Sequence, residues 1–320
     1  RLTGEGRLSV VLISHKLREV EAYADAVTIL RQGRLVGQGK VSDLTRDDMV
    51  RMMVGDEPPA QVRAREGSGD GALMLEVQGL CVDNDKGLPA VRDLDLQVRA
   101  GEIVGIAGIS GNGQTEFVEV LAGQRPSAGG RSLVAGAPYH RTRSEMRARG
   151  IKLLPEAPLQ NACVRGMSVA ENLSLRRFDE PPMSRAGFWL SRGAMRARAI
   201  DLIAQFRIKT QGPDAPIETL SGGNVQRTVL ARELADGAHL LIVQNPCFGL
   251  DLRAVAEIRQ RIVEARNGGT AVLLLSEDLD EILELSDRIL VMSEGRLVYE
   301  TTRDAAKLQD IGHHMAQQGA

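Results

Sequence analysis

No apolar run in this chain approaches the length of a membrane-spanning helix. The longest, Leu240 to Val243 and Ala271 to Leu275, suit buried strands instead. Charge of one sign is also missing: 40 basic residues face 42 acidic ones. That balance excludes a basic nucleic-acid footprint and an acidic solubilising tail. Cysteine is scarce, and Cys81, Cys163 and Cys247 lie far apart without metal-ligand spacing, the pattern of a reduced, cytosolic compartment. No charged-then-apolar leader follows Arg1. Such a protein is soluble, or peripheral to a membrane through a partner. At 320 residues it has material for one large or two modest domains.

What is present first is a repeat. SVVLISHKLREVEAYADAVTILRQGRLV, Ser9 to Val36, reappears as TAVLLLSEDLDEILELSDRILVMSEGRLV, ending at Val298. Ser14 pairs with Ser276 and Glu19 with Glu281, at one constant offset of 262 (276 less 14). Each copy reads as a short apolar strand, a polar turn, an amphipathic helix, then a strand and a Gly-containing hairpin turn. Such a fragment cannot bury its own apolar face. Residues 1–55 therefore read as the tail of a first module whose front is absent from this chain. Residues 56–71, with paired prolines, Gly and Ser, have linker composition. A complete second module is expected over 72–313. Its alternating strands and helices predict a parallel α/β core, and helical periodicity from Ser168 to Phe206 predicts a helical insertion at about 160–215. Residues 314–320 read as a tail, with His313 and His314 at its frayed start.

Two motifs carry the chemistry. Gly108 to Thr115, GISGNGQT, follows an apolar strand and enters a helix, with the layout of a phosphate-binding loop. Gly108, Gly111 and Gly113 let backbone N–H groups turn inward, with Ser110, Asn112 and Glu116 beside them. Thr115 supplies a hydroxyl for Mg²⁺, but the motif's lysine is Gln114, which brings no charge. Downstream, LSGGNVQR places Leu220, Ser221, Gly222, Gly223, Asn224 and Gln226 before Arg227. Serine, paired glycines and a following helix form an anion-binding helix start.

Together these motifs resemble the ATP-binding proteins of ABC importers for simple sugars and nucleosides, whose two nucleotide-binding domains are fused in tandem. SEDLDEI and GNGQTE lean towards the nucleoside-like branch. The resemblance covers the whole chain and implies a P-loop NTPase fold: a parallel-rich core sheet, an antiparallel β element and a helical subdomain. It also implies ATP and Mg²⁺ as cofactors.

Against that family pattern the second module departs at several positions, all in one direction. Gln244 stands at the Mg²⁺-associated aspartate and Asn245 at the glutamate that polarises water; neither amide accepts a proton at neutral pH. Glu277 replaces the histidine that contacts the γ-phosphate, whereas the first copy keeps it as His15. Glu156 stands at the loop glutamine, and no aromatic residue lies between Leu75 and Val98 to stack on adenine. Gly249, Leu250 and Asp251 keep the interface loop. The resemblance thus implies a site that holds ATP and turns it over poorly, while Ser221 to Gly223 completes the competent site of the first domain. Implied partners are that first domain, transmembrane permease subunits and, indirectly, a periplasmic or extracellular substrate-binding protein. Nucleic acid is not among them, and the implied location is the cytoplasmic face of the cell membrane. The competing reading is a soluble tandem-ABC protein acting on the ribosome or on DNA. Arg176, Arg177, Arg196 and Arg198 could touch permease or phospholipid, but are expected to be a solvated helix face.

Overall fold

The computed structural model describes residues 8–14, 17–31, 33–54, 64, 66–67, 69–185 and 189–316. The backbone divides into two compact units, residues 1–62 with 250–257, and residues 63–249 with 258–320.

In the larger unit the short, wholly apolar segments form the centre of a six-stranded sheet. Its order is Arg296–Thr302, Arg288–Ser293, Ile103–Ala107, Ala271–Ser276, Leu240–Gln244, Ile151–Leu154. Every pairing is parallel except that of the hairpin Arg288–Ser293 with Arg296–Thr302. Ile103–Ala107, Leu240–Gln244 and Ala271–Ser276 are buried at every position, as strands covered on both faces must be. A second, antiparallel sheet joins Pro89–Arg99, Leu73–Asp83, Gly129–Val134 and Ala137–Pro138. One apolar cluster fills this unit, with Leu75, Val98, Ile106 and Phe117 all at 0% exposure. Phe117 alone contributes about 1.5–3 kcal/mol through burial.

The helical insertion has a separate core of Val169, Leu173, Ala199, Leu202, Phe206 and Val225. Ser168 starts it with a capping box, its hydroxyl accepting from the Glu171 N–H at 3.2 Å. The helical period predicted across 168–206 is interrupted, however. Helix Val169–Ser174 stops, turns follow, and a two-residue hairpin pairs Ser184–Arg185 with Trp189–Leu190 before helix Arg192–Gln205. Pro181 and Pro182 lack the N–H a helix needs, and Ser191 caps the new helix at the Ala194 N–H.

Arg176, Arg177, Arg196 and Arg198 are paired within the chain. Arg177 and Arg198 each reach Asp236 at 2.7 Å, and Arg196 reaches Asp214 at 2.9 Å. Arg176 meets Glu233 at 2.9 Å, as does Arg232. Two further expectations also shift. The linker's end docks on the C-terminus of helix Leu252–Asn267: Asn267 accepts from the Glu66 N–H at 3.0 Å, and Arg266 donates to the Glu66 and Gly67 carbonyls. His313 and His314 belong to helix Leu308–Ala316, and the His314 ring stacks on Tyr299 with centroids 4.5 Å apart. Aromatic contact fixes what composition alone leaves as a fraying end.

The repeat reappears element by element. Leu17–Tyr23, Ala26–Arg31, Arg34–Lys40 and Arg46–Val54 match Leu279–Leu285, Arg288–Ser293, Arg296–Thr302 and Leu308–Ala316 at the same offset. Both hairpins carry a bulge at the matching place, Ile29/Leu30 and Val291/Met292. Both copies also bond serine to glutamate, Ser14 to Glu19 at 2.5 Å and Ser276 to Glu281 at 2.7 Å. One element differs. Ala271–Ser276 is buried in its sheet, whereas residues 8–14 form no strand, and Val11 and Ile13 are 90% and 96% exposed. A strand needs hydrogen-bonded neighbours, and among the described residues the first copy has none for this segment.

Burial opposes ionisation of Glu233, yet Arg232 and Arg176 overcome it and hold the carboxyl below the usual carboxylate range. Breaking such a buried pair is costly, so Glu233→Ala should lower stability by about 3–5 kcal/mol in denaturant unfolding. Because the folded-state pKa is depressed, this stabilisation is present above the ordinary carboxylate pKa and lost as pH falls through the depressed one. The acid limb of wild-type stability should therefore flatten in Glu233→Gln.

Candidate nucleotide site

The central strand Ile103–Ala107 delivers its loop to the sheet's C-terminal edge, where ligands of open α/β sheets gather. Gly111 and Gly113 adopt left-handed φ values of 89° and 99°, which glycine takes without strain. A Cβ on Gly113 would collide with the Ala90 carbonyl oxygen. Gly113 caps helix Gln114–Leu121, and the first helical amide to bond back is that of Phe117, to the Gly113 carbonyl at 3.0 Å. The N–H groups of Gln114, Thr115 and Glu116 are the unspent donors of this helix start. Asn112 ties the loop to the neighbouring hairpin, its carbonyl accepting from Gly295 and its side chain from the Glu294 N–H. Gln114 is 7% exposed and folds back against Gly108.

Facing this loop are the ends of Leu240–Gln244 and Ala271–Ser276. The Gln244 amide donates to the Thr115 hydroxyl at 3.1 Å. Asn245, held at φ 42° with its N–H on the Leu275 carbonyl, donates to a Glu156 carboxylate oxygen at 3.0 Å. Its side-chain oxygen accepts the Glu277 N–H at 3.0 Å. Loop and strand ends line a narrow cleft of about 10 Å³ whose lining includes Ser110, Gly111, Gln114, Glu156, Ser276 and Glu277. Its lining contains two carboxylates and no Lys, Arg or His. The arrangement can accept hydrogen bonds from a ligand and offer backbone donors at the loop. Its lining has no cationic side chain, and its carboxylates are Glu156, bonded to Asn245, and Glu277.

Mg²⁺ takes hard, anionic oxygens in near-octahedral order. Here the Thr115 hydroxyl expected to face it accepts from an amide, and Gln244 presents NH₂ where the family pattern has a carboxylate. Thr115 and Gln244 thus offer the metal no anionic oxygen, and the anionic oxygens of the lining are those of Glu156 and Glu277. The phosphate cradle itself does fit a polyphosphate.

Ser221 is an exposed, extended cap at the start of helix Gly222–Leu234. Its hydroxyl accepts from the Asn224 side chain at 2.8 Å. Asn224 in turn accepts from the Lys209 N–H and from Arg227. Leu220 is half-buried, Gly222 exposed and Gly223 half-buried. None of these signature residues lines the cleft. Gln226 provides the connection, donating to the Pro246 carbonyl at 2.8 Å one residue beyond Asn245. Asp251 is exposed and accepts from the Ala254 N–H. His15 lies outside the described residues. Ser276 is a lining residue that motif reading passed over; the repeat, which pairs it with Ser14, held the signal.

The chain matches the family described as ABC transporter over residues 91–247. It is 42% identical, over 100% of its own length and 58% of the relative's, to a glucose import ATP-binding protein of Haloferax volcanii. It is 35% identical, over 97% of its length and 61% of the relative's, to a nucleoside import ATP-binding protein of Lactococcus lactis. The chain thus spans about three-fifths of the curated relatives it matches. Among solved structures, the ATP-binding subunit of an ABC transporter aligns with a TM-score of 0.62 at 20% identity, covering 76% of this chain and all of that one. A bacterial ABC transporter cassette solved as a dimer aligns equally well, with 19% identity over 72% of this chain and 99% of that one. The fold is that of ABC ATP-binding cassettes.

Gly113→Ala should strain both the loop and the strand carrying Ala90. We expect a loss of about 1–3 kcal/mol in thermal unfolding, with nucleotide binding lost in calorimetry at temperatures where the variant stays folded.

Proposed function

We propose that this chain, which carries an ABC-type ATP-binding domain, is the larger part of an importer's ATP-binding subunit and holds adenine nucleotide without hydrolysing it. The carrying observation is the amide pair Gln244 and Asn245, bonded to Thr115 and Glu156 where phosphoryl transfer needs carboxylates for metal and water. The tandem reading is supported by the repeat: residues 17–54 reproduce the end of the domain, and residues 8–14 lack the sheet their counterpart occupies. In that reading residues 1–55 end a first nucleotide-binding domain, 56–71 link it, and 72–313 form the second.

The two domains would then face head to tail. Exposed Ser221 and Gly222 would complete the competent site of the first domain, to which His15 belongs. Gln114, Gln244, Asn245 and Glu277 would form the silent one. ATP is the cofactor of the pair, and Mg²⁺ belongs to the competent site.

Coupling would pass to permease subunits through the Glu156 loop and the helical insertion. A cavity there of about 330 Å³, lined by Leu153, Pro155, Cys163 and Arg232, supports this route. Among the described residues no helix is long and apolar enough to cross a membrane, which suits a subunit held at the cytoplasmic face by its permeases. A substrate-binding protein would act through those permeases. Relatives named for glucose and for nucleoside import bound the cargo class to sugars or nucleosides.

Purified chain should show negligible ATP turnover in a coupled phosphate-release assay; turnover typical of transporter ATPases would overturn the silent-site reading. In the intact tandem protein Ser221→Arg should abolish turnover, whereas Gln114→Ala should retain most of it. The reverse order would show that the two sites are wrongly assigned.

A further inference from the structure

The cleft treats its two ends differently. At the loop end, left-handed Gly111 and Gly113 and the unspent N–H groups of Gln114, Thr115 and Glu116 remain as a cradle. In such loops these backbone donors hold the inner phosphates, while the lysine reaches outward to the terminal one. Gln114 stands in the lysine's place, uncharged, buried and folded against Gly108. The inner-phosphate contacts are kept and the outer one is lost.

At the strand end the amides are bonded to neighbours within the chain. Gln244 gives its NH₂ to Thr115, Asn245 gives its NH₂ to Glu156, and the Glu277 N–H goes to Asn245. Two carboxylates, Glu156 and exposed Glu277, stand there without a basic side chain in the lining. A terminal phosphate entering this end would meet like charge, with no cationic side chain in the lining to offset it.

We infer that the cleft selects a nucleoside diphosphate over the corresponding triphosphate; this rests on reading the cleft as a nucleotide site. The loop supplies the diphosphate's contacts, and Glu277 makes the third phosphate unwelcome. A site of this kind need not empty during a transport cycle. It remains filled with diphosphate while triphosphate binding at the other site times closure.

The test is calorimetric titration of the purified chain with ADP and with ATP, each in Mg²⁺ and in EDTA. ADP should bind about tenfold more tightly than ATP in both buffers, the size of one unfavourable charge contact. Glu277→Gln keeps the backbone N–H and removes the charge, so it should narrow that ratio chiefly by tightening ATP. ATP binding as tightly as ADP or more tightly, in either buffer, overturns the inference. An unchanged ratio in Glu277→Gln overturns its assignment to that carboxylate. If neither nucleotide binds, the nucleotide-site reading falls and takes the inference with it.

Discussion

Three side-chain amide contacts decide what this domain can do. Gln244 on Thr115, Asn245 on Glu156, and Asn245 again on the Glu277 backbone join the phosphate loop, the central strand and two neighbouring loops. Each satisfies a polar group that would otherwise need a ligand, a water or an ion. An amide donates and accepts but does not ionise near neutral pH. At the two strand-end positions where a hydrolytic site carries carboxylates, this one has amides bonded to Thr115 and Glu156. The cleft is internally satisfied while its backbone cradle stays open.

The fold makes that substitution tolerable. Gln244 and Asn245 sit where Leu240–Gln244 leaves the middle of a parallel sheet, with Ala271–Ser276 beside it and Ile103–Ala107 next. These strands are fixed by burial and by their ladders, independently of the residues at their tips. Binding chemistry can therefore drift at the edge while the scaffold persists. The signature helix is held separately, by Gln226 on the Pro246 carbonyl and by Asn224 on Ser221. Its start is exposed, with Ser221 and Gly222 open to solvent, while the cleft presents amides at Gln244 and Asn245.

Much of this was legible from residues alone. Continuous apolar runs announced the central strands, since strands covered on both faces need no polar alternation. The phosphate-loop glycines announced one helix start, since Gly111 and Gly113 take left-handed φ values, and Ser221 announced the other as its cap. The repeat located the hairpins to the residue. What sequence missed was mostly tertiary. Periodicity placed the helices of the insertion but not the turns and the short antiparallel pair that separate them around Pro181 and Pro182. The arginines of the insertion read as solvated, which holds for Arg196, whereas Arg176, Arg177 and Arg198 are half-buried against Glu233 and Asp236. His314 looked frayed because nothing in its neighbourhood along the chain reveals Tyr299. The mutual bonding of Gln244, Thr115, Asn245 and Glu156 was likewise invisible, since these residues come together only once the sheet is built.

The most direct measurement is a high-resolution crystal structure of the chain grown with adenine nucleotide and excess Mg²⁺. The account predicts phosphates on the Gly111–Thr115 amides, Gln244 still bonded to Thr115, and no metal coordinated by either side chain. A divalent ion ligated by Thr115, with Glu156 or Glu277 aligning a water on the terminal phosphate, would contradict it.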